Sequence, residues 1–154
     1  MSQPSVHHDS FTIERTFAAT PERVFAAFAD PVKKRRWFVE GEGWTVDSYE
    51  ADFREGGFER SRFRFNDGPE MTNETYYHDI IPGRRIINSY SMTWGGKRIS
   101  VSLATVDIEP DGAGSRVRFT EQAVFFEGSD GVEGRRQGWT ELIGKLEEEL
   151  TTHP

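Results

Sequence analysis

Residues 45–124 are one run of strand-forming sequence cut at short intervals by turn signals, and a single long helical segment follows it. The signals are Gly56 with Gly57, the group Asn66, Asp67, Gly68 and Pro69, Pro82 with Gly83, Gly95 with Gly96, and Asp111 through Gly114. Glycine, proline, asparagine and aspartate supply the backbone angles that tight reversals need, so this punctuation specifies an antiparallel meander. Strands are expected at 45–52, 57–66, 72–81, 85–94, 98–109 and 115–124. A sheet that wraps around one helix cannot fill its whole interior with side chains. The expected product is a pocket lined by aromatic residues, and pocket binding is the first functional expectation.

Ahead of the meander, Phe11, Ile13, Arg15 and Phe17 share one parity, the alternation of a half-buried first strand at 11–17. A polar leader, 1–10, precedes it and is expected to be flexible, with His7 and His8 part of a frayed terminus rather than a metal site. Thr20, Pro21 and Glu22 supply an N-cap hydroxyl, a proline at the first helical position and an early acid. Val24, Phe25 and Phe28 make the apolar stripe of that helix. Asp30 before Pro31 repeats the device for a second short helix ending near Trp37. At the other end, Asp130 with Glu133 resembles a capping box, and Trp139, Leu142, Ile143, Leu146 and Leu150 form one stripe of a closing helix. Gly138 and Gly144 each cost about 1 kcal/mol relative to alanine within a helix, which suggests close approach of the sheet or of a ligand, with eased packing the favoured expectation.

The strand faces follow from the period of two. Ile86, Asn88, Tyr90, Met92 and Trp94 share the expected inner face of their strand. Phe63 and Phe65 are assigned inward and Arg60, Arg62 and Arg64 outward. Val106, Ile108, Val117 and Phe119 also face in. Parity alone does not decide between Tyr76 and Tyr77.

At 154 residues the chain fits one domain, expected over 11–151. Four leucines against twelve phenylalanines, four tryptophans and four tyrosines shift its apolar content towards rigid rings, which suit ligand walls. Nineteen Lys and Arg against 26 Asp and Glu give a formal charge of -7, with no general attraction for nucleic acid. The absence of cysteine excludes disulfides and thiolate chemistry. No apolar run has the length of a membrane span, so no membrane insertion is expected and a cytoplasmic location is the default.

The chain resembles the activator-of-heat-shock-ATPase-like branch of the START-like, polyketide-cyclase-like superfamily. The resemblance is carried by the 11–17 strand; by Thr20, Pro21, Glu22, Arg23, Val24 and Phe25 with Phe28, Asp30, Pro31 and Trp37; by Gly56 and Gly57 followed by Phe63; by Tyr77 through Pro82; and by Gly138 and Trp139 leading to Leu142 and Leu146. It implies an α+β helix-grip fold, in which a seven-stranded curved antiparallel sheet wraps around a long C-terminal helix, two short helices join strands 1 and 2, and a hydrophobic cavity lies between sheet and long helix.

Three functional readings follow. The first is a carrier or sensor of a small hydrophobic or aromatic molecule, with ligand contacts from Trp37, Phe63, Phe65, Tyr76, Tyr90, Met92, Trp94, Trp139, Leu142 and Leu146, and with phenols and indole nitrogens orienting its polar end. The opposing expectation is an interior filled by side chains. The second is a polyketide cyclase or dehydratase-like enzyme, for which Glu74, His78, Asp79 and Glu121 are the candidate acids and bases; each is expected at the surface, and no catalytic residue is assigned. The third is a chaperone-interacting module or a homodimer, using the cationic run Lys33, Lys34, Arg35 and Arg36, which otherwise reads as a solvated helix face. No cofactor and no metal are expected.

Overall fold

The computed structural model describes residues 5–154. Its elements are β1 (Val6–Phe17), α1 (Pro21–Ala29), α2 (Pro31–Phe38), β2 (Trp44–Asp52), β3 (Phe58–Phe65), β4 (Met71–Ile81), β5 (Arg85–Trp94), β6 (Lys97–Asp111), β7 (Gly114–Phe126) and α3 (Gly131–Thr152). All seven strands form one antiparallel sheet in the order β1-β7-β6-β5-β4-β3-β2. Every connection from β2 to β7 is a hairpin, while β1 returns to the far edge beside β7. This is the helix-grip α+β architecture that the sequence predicts.

The local chemistry explains the elements. Thr20 accepts the Arg23 N–H at the start of α1, and the Asp30 carboxylate accepts the N–H of Val32 at 2.9 Å at the start of α2. Each helix has proline at its first position, where the missing N–H costs nothing. Gly95 and Gly96 reverse the β5–β6 hairpin with φ of 61° and 80°, the left-handed pair that a two-residue hairpin turn needs.

Two expectations near the termini of these elements are corrected. The first strand begins at Val6, because β7 continues to Phe126 and offers a backbone edge to residues 6–10. His7 and His8 therefore sit on a paired strand; residues 1–4 of the expected leader lie outside the described residues. Asp130 makes no side-chain cap for α3. Its carboxylate is held by Arg135 instead, with Nε at 2.9 Å and Nη2 at 3.1 Å.

α3 lies against the inner face of the sheet, and its two halves meet different surroundings. Ile143, Leu146 and Leu150 join Phe17, Val24, Phe28, Trp37, Val106, Ile108 and Val117 in a packed core. Burying a leucine of this kind contributes about 1.5–3 kcal/mol. The N-terminal turns of α3, from Arg135 to Leu142, instead border open volume.

Candidate functional site

That volume is a cavity of about 250 Å³, open at one side and bordered by β2, β3, β4, β5, α3 and the end of α2 with the segment after it. Phe63, Met71, Met92, Phe38, Trp139 and Leu142 supply its apolar walls, and Lys145 and Glu141 also line it. Behind it lies a void of about 20 Å³, lined in part by Lys34, Asn73, Asn88, Tyr90 and Trp139. A space of that size admits one water-sized molecule, so any organic ligand is confined to the larger cavity.

Of the ten residues assigned to ligand contact, Phe63, Tyr90, Met92, Trp139 and Leu142 line this cavity. Trp37 and Leu146 belong to the packed core, where the Trp37 indole N–H donates to the Ala27 carbonyl at 2.8 Å. Tyr76 is on the outer face, 47% exposed, and its neighbour Tyr77 takes the inner position. Asn73, Thr75 and Tyr77 alternate inward along β4, and the polar side chains that share the face of Tyr77 are why parity left the choice open. Phe65 and Trp94 have the inward parity but sit at strand ends beyond the cover of α3, and they are 49% and 48% exposed. Phe65 lies against Trp44, with centroids 4.9 Å apart, at the mouth of the cavity.

A charged cluster that sequence reasoning missed forms one end of the cavity. Arg135 and Glu121 are both buried and pair at 3.0 Å. Arg135 Nη1 also donates to the Tyr90 hydroxyl at 3.0 Å, and Nη2 to Ser100 Oγ at 2.7 Å. With the two bonds to Asp130, all five guanidinium N–H groups are used. Tyr90 donates to Glu121 Oε1 at 2.6 Å and accepts from the Trp139 indole at 3.3 Å, while Ser102 donates to Glu121 Oε2 at 2.7 Å. The phenol and indole expected to orient a ligand are thus bound to protein. Burial and the Glu121 carboxylate push the Tyr90 phenol well above its ordinary pKa. Burial alone would lower the Arg135 pKa, but Tyr90, Asp130 and Glu121 outweigh it and hold the guanidinium charged.

The signal for this cluster was present in the spacing. Glu121 has the parity of Val117, Phe119, Ala123 and Phe125, and Arg135 lies one helical turn before Trp139 on the stripe that continues to Leu142 and Leu146. Opposite charges, each on the apolar face of its own element, mark a buried pair.

The other candidate acids and bases lie elsewhere. Glu74 and His78 are exposed, with His78 Nε2 2.7 Å from Ser89 Oγ, and Asp79 pairs with Arg85 at 2.9 Å. Glu121 departs from the surface expectation because Arg135 and two hydroxyls compensate its burial. The cationic run is also revised. Lys34 is 6% exposed and pairs with buried Glu59 at 3.0 Å, Arg35 pairs with Glu40, and Arg36 grips Glu149 through two nitrogens at 2.9 and 2.7 Å. Lys34 fastens α2 to the sheet and Arg36 fastens it to α3, while Arg35 holds the segment that follows α2. Burial also pushes the Tyr77 and Tyr49 phenols upward, with the Glu59 charge adding to the effect. Gly138 meets nothing within 4 Å of where a Cβ would stand, and Gly144 only Arg15 Nη1 at 3.9 Å, so close packing does not require either glycine. Gly138 lines the cavity.

A single sheet gripping one long helix, with a cavity beneath the N-terminal half of that helix, defines the class: a helix-grip domain of the START-like, polyketide-cyclase-like type. The chain belongs to the Activator of Hsp90 ATPase homolog 1-like family, which matches residues 18–151. It is similar to an uncharacterized protein from Rhizobium leguminosarum, with 38% identity and a TM-score of 0.93 over 99% of this chain and 100% of that one. The Mll3558 protein from Rhizobium loti is 46% identical, with a TM-score of 0.87 over 94% of this chain and 99% of that one. CalU16 from Micromonospora echinospora shares the fold at 18% identity and a TM-score of 0.65, covering 96% of this chain and 85% of that one. No curated protein matches the chain. Among the described residues, no helix is long and apolar enough to cross a membrane, and no group of three or more His, Asp or Glu side chains is placed to hold a metal.

Proposed function

We propose that this protein binds a small hydrophobic or aromatic molecule between the sheet and α3, as a carrier or sensor. The observation that carries the reading is the 250 Å³ cavity with its walls of Phe63, Met71, Met92, Trp139 and Leu142. An apolar cavity of about 150 Å³ is large enough for benzene, so by proportion this one accommodates about ten heavy atoms. Removing such a molecule from water gains roughly 25 cal/mol per Å² of apolar surface, before the costs of association. Family membership supports a ligand-binding domain of this kind. Mass spectrometry of small molecules released from the purified native protein tests the proposal. An apolar or aromatic compound recovered in stoichiometric amount supports carriage, and its chemical conversion on incubation would move the reading to an enzyme.

The enzymatic reading ranks second. Glu121 is the one candidate acid near the cavity, and its oxygens are engaged by Tyr90, Ser102 and Arg135. That cluster reads as a rigid support for Trp139. The chaperone-interacting reading loses its cationic docking patch to the ion pairs that Lys34, Arg35 and Arg36 make within the domain.

A further inference from the structure

Among the polar side chains lining the cavity, Asn73 stands apart. It is 6% exposed and borders both the cavity and the small void behind it. Thr75 Oγ1 donates to its Oδ1 at 3.0 Å. Among the described residues, no protein group accepts from its Nδ2, and that nitrogen is not sealed from accessible space. The neighbouring donors are committed. Arg135 has no spare N–H, the Trp139 indole donates to Tyr90, and the Tyr90 hydroxyl donates to Glu121. A donor in such a place is completed by water or by a ligand acceptor, and a ligand that displaces the water without replacing its hydrogen bond leaves the donor unpaired at a cost.

We infer that Asn73 selects the ligand by donating a hydrogen bond from its amide nitrogen to an uncharged acceptor oxygen, so that the ligand class is a small cyclic or aromatic ketone or related carbonyl compound. This rests on the cavity being the binding site. Charge excludes a carboxylate deep in the cavity: Arg135 faces two carboxylates, Glu121 and Asp130, and is saturated by protein, and Lys34, at the void behind it, is paired with Glu59. At the mouth, Lys145 donates to the Glu40 carbonyl and shares the lining with Glu141, so the rim adds no net positive charge.

The test is calorimetric titration of three probes that share one ring system: indane, 1-indanone and indane-1-carboxylate. The full chain is expected to bind 1-indanone about fivefold more tightly than indane, the gain from one net hydrogen bond, and to bind the carboxylate most weakly. Asn73→Leu and Asn73→Asp should both abolish the preference for the ketone while still binding indane. The aspartate variant keeps an acceptor for Thr75 and exchanges the amide donor for a charged carboxylate oxygen, which repels a ketone oxygen, so it serves if the leucine variant fails to fold. Equal binding of indane and 1-indanone by the wild type, a ketone preference that survives in Asn73→Asp, or tighter binding of the carboxylate overturns the assignment of Asn73 and leaves the cavity reading intact. Failure of the wild type to bind any of the three overturns both.

Discussion

The indole of Trp139 stacks on Phe119 with ring centroids 4.0 Å apart, which ties α3 to β7 and presents the tryptophan as a fixed wall of the cavity. The indole N–H on Tyr90 locks its orientation. Trp139→Ala is therefore expected to weaken ligand binding by on the order of tenfold, equivalent to about 1.4 kcal/mol. Arg62→Ala, on the outer face, should leave affinity unchanged. Parallel titrations of one ligand into both variants check this. Equal losses would place the ligand elsewhere.

Arg135 and Glu121 should behave as a coupled pair. Arg135→Met leaves the Glu121 carboxylate buried without its cation and is expected to cost about 3–5 kcal/mol in denaturant unfolding. Adding Glu121→Leu removes the stranded charge, so the double variant should recover part of that loss. Additive losses would show that the two side chains act independently.

Much of the fold was legible in the sequence because turns and caps are local. The two prolines at the helix starts and the glycine pairs between strands act on the backbone directly, whatever surrounds them. The site was legible only in part. Tyr90, Met92 and Phe63 follow from alternation, but in β4 the inward face carries Asn73 and Thr75 beside Tyr77, so no apolar pattern distinguished it from the face of Tyr76. Phe65 and Trp94 obey the alternation yet pass beyond the helix that would cover them. Strand parity specifies a face, not how far the opposite layer extends. Arg135 could be placed on the inner stripe of α3 from its spacing, but its partners, like those of Asn73, could not be read. The roles of both residues depend on partners 2 to 45 residues away, including Thr75 and Tyr90, and no motif marks them.

Gly138→Ala should move stability and binding in opposite directions. The new methyl group meets no protein atom within 4 Å, so the helix gains about 1 kcal/mol from the better helix former. The same methyl enters the lining of the cavity and should lower affinity for a ligand that fills it. Thermal unfolding and titration of this one variant measure both effects. A gain in stability with unchanged affinity would show that the ligand does not approach this turn.

Acid should loosen the clasp between α2 and α3. The hydrogen bonds from Arg36 hold Glu149 below the ordinary carboxylate range, against an opposing effect of burial. A depressed folded-state value means that the contribution is fully present above the unfolded carboxylate value of about 4.3 and is lost as pH falls through the lower folded value. Glu149→Gln should therefore be less stable than wild type at neutral pH, and the difference should narrow on acidification below that range. Urea unfolding from pH 7 down to pH 3 follows the difference directly.

The most direct test of the account is a crystal structure of the protein soaked with indane. The ring is expected between Trp139 on α3 and Met92 on β5, in contact with Phe63 and Leu142. A structure in which side chains close that space, with any bound indane lying outside it, would contradict the account.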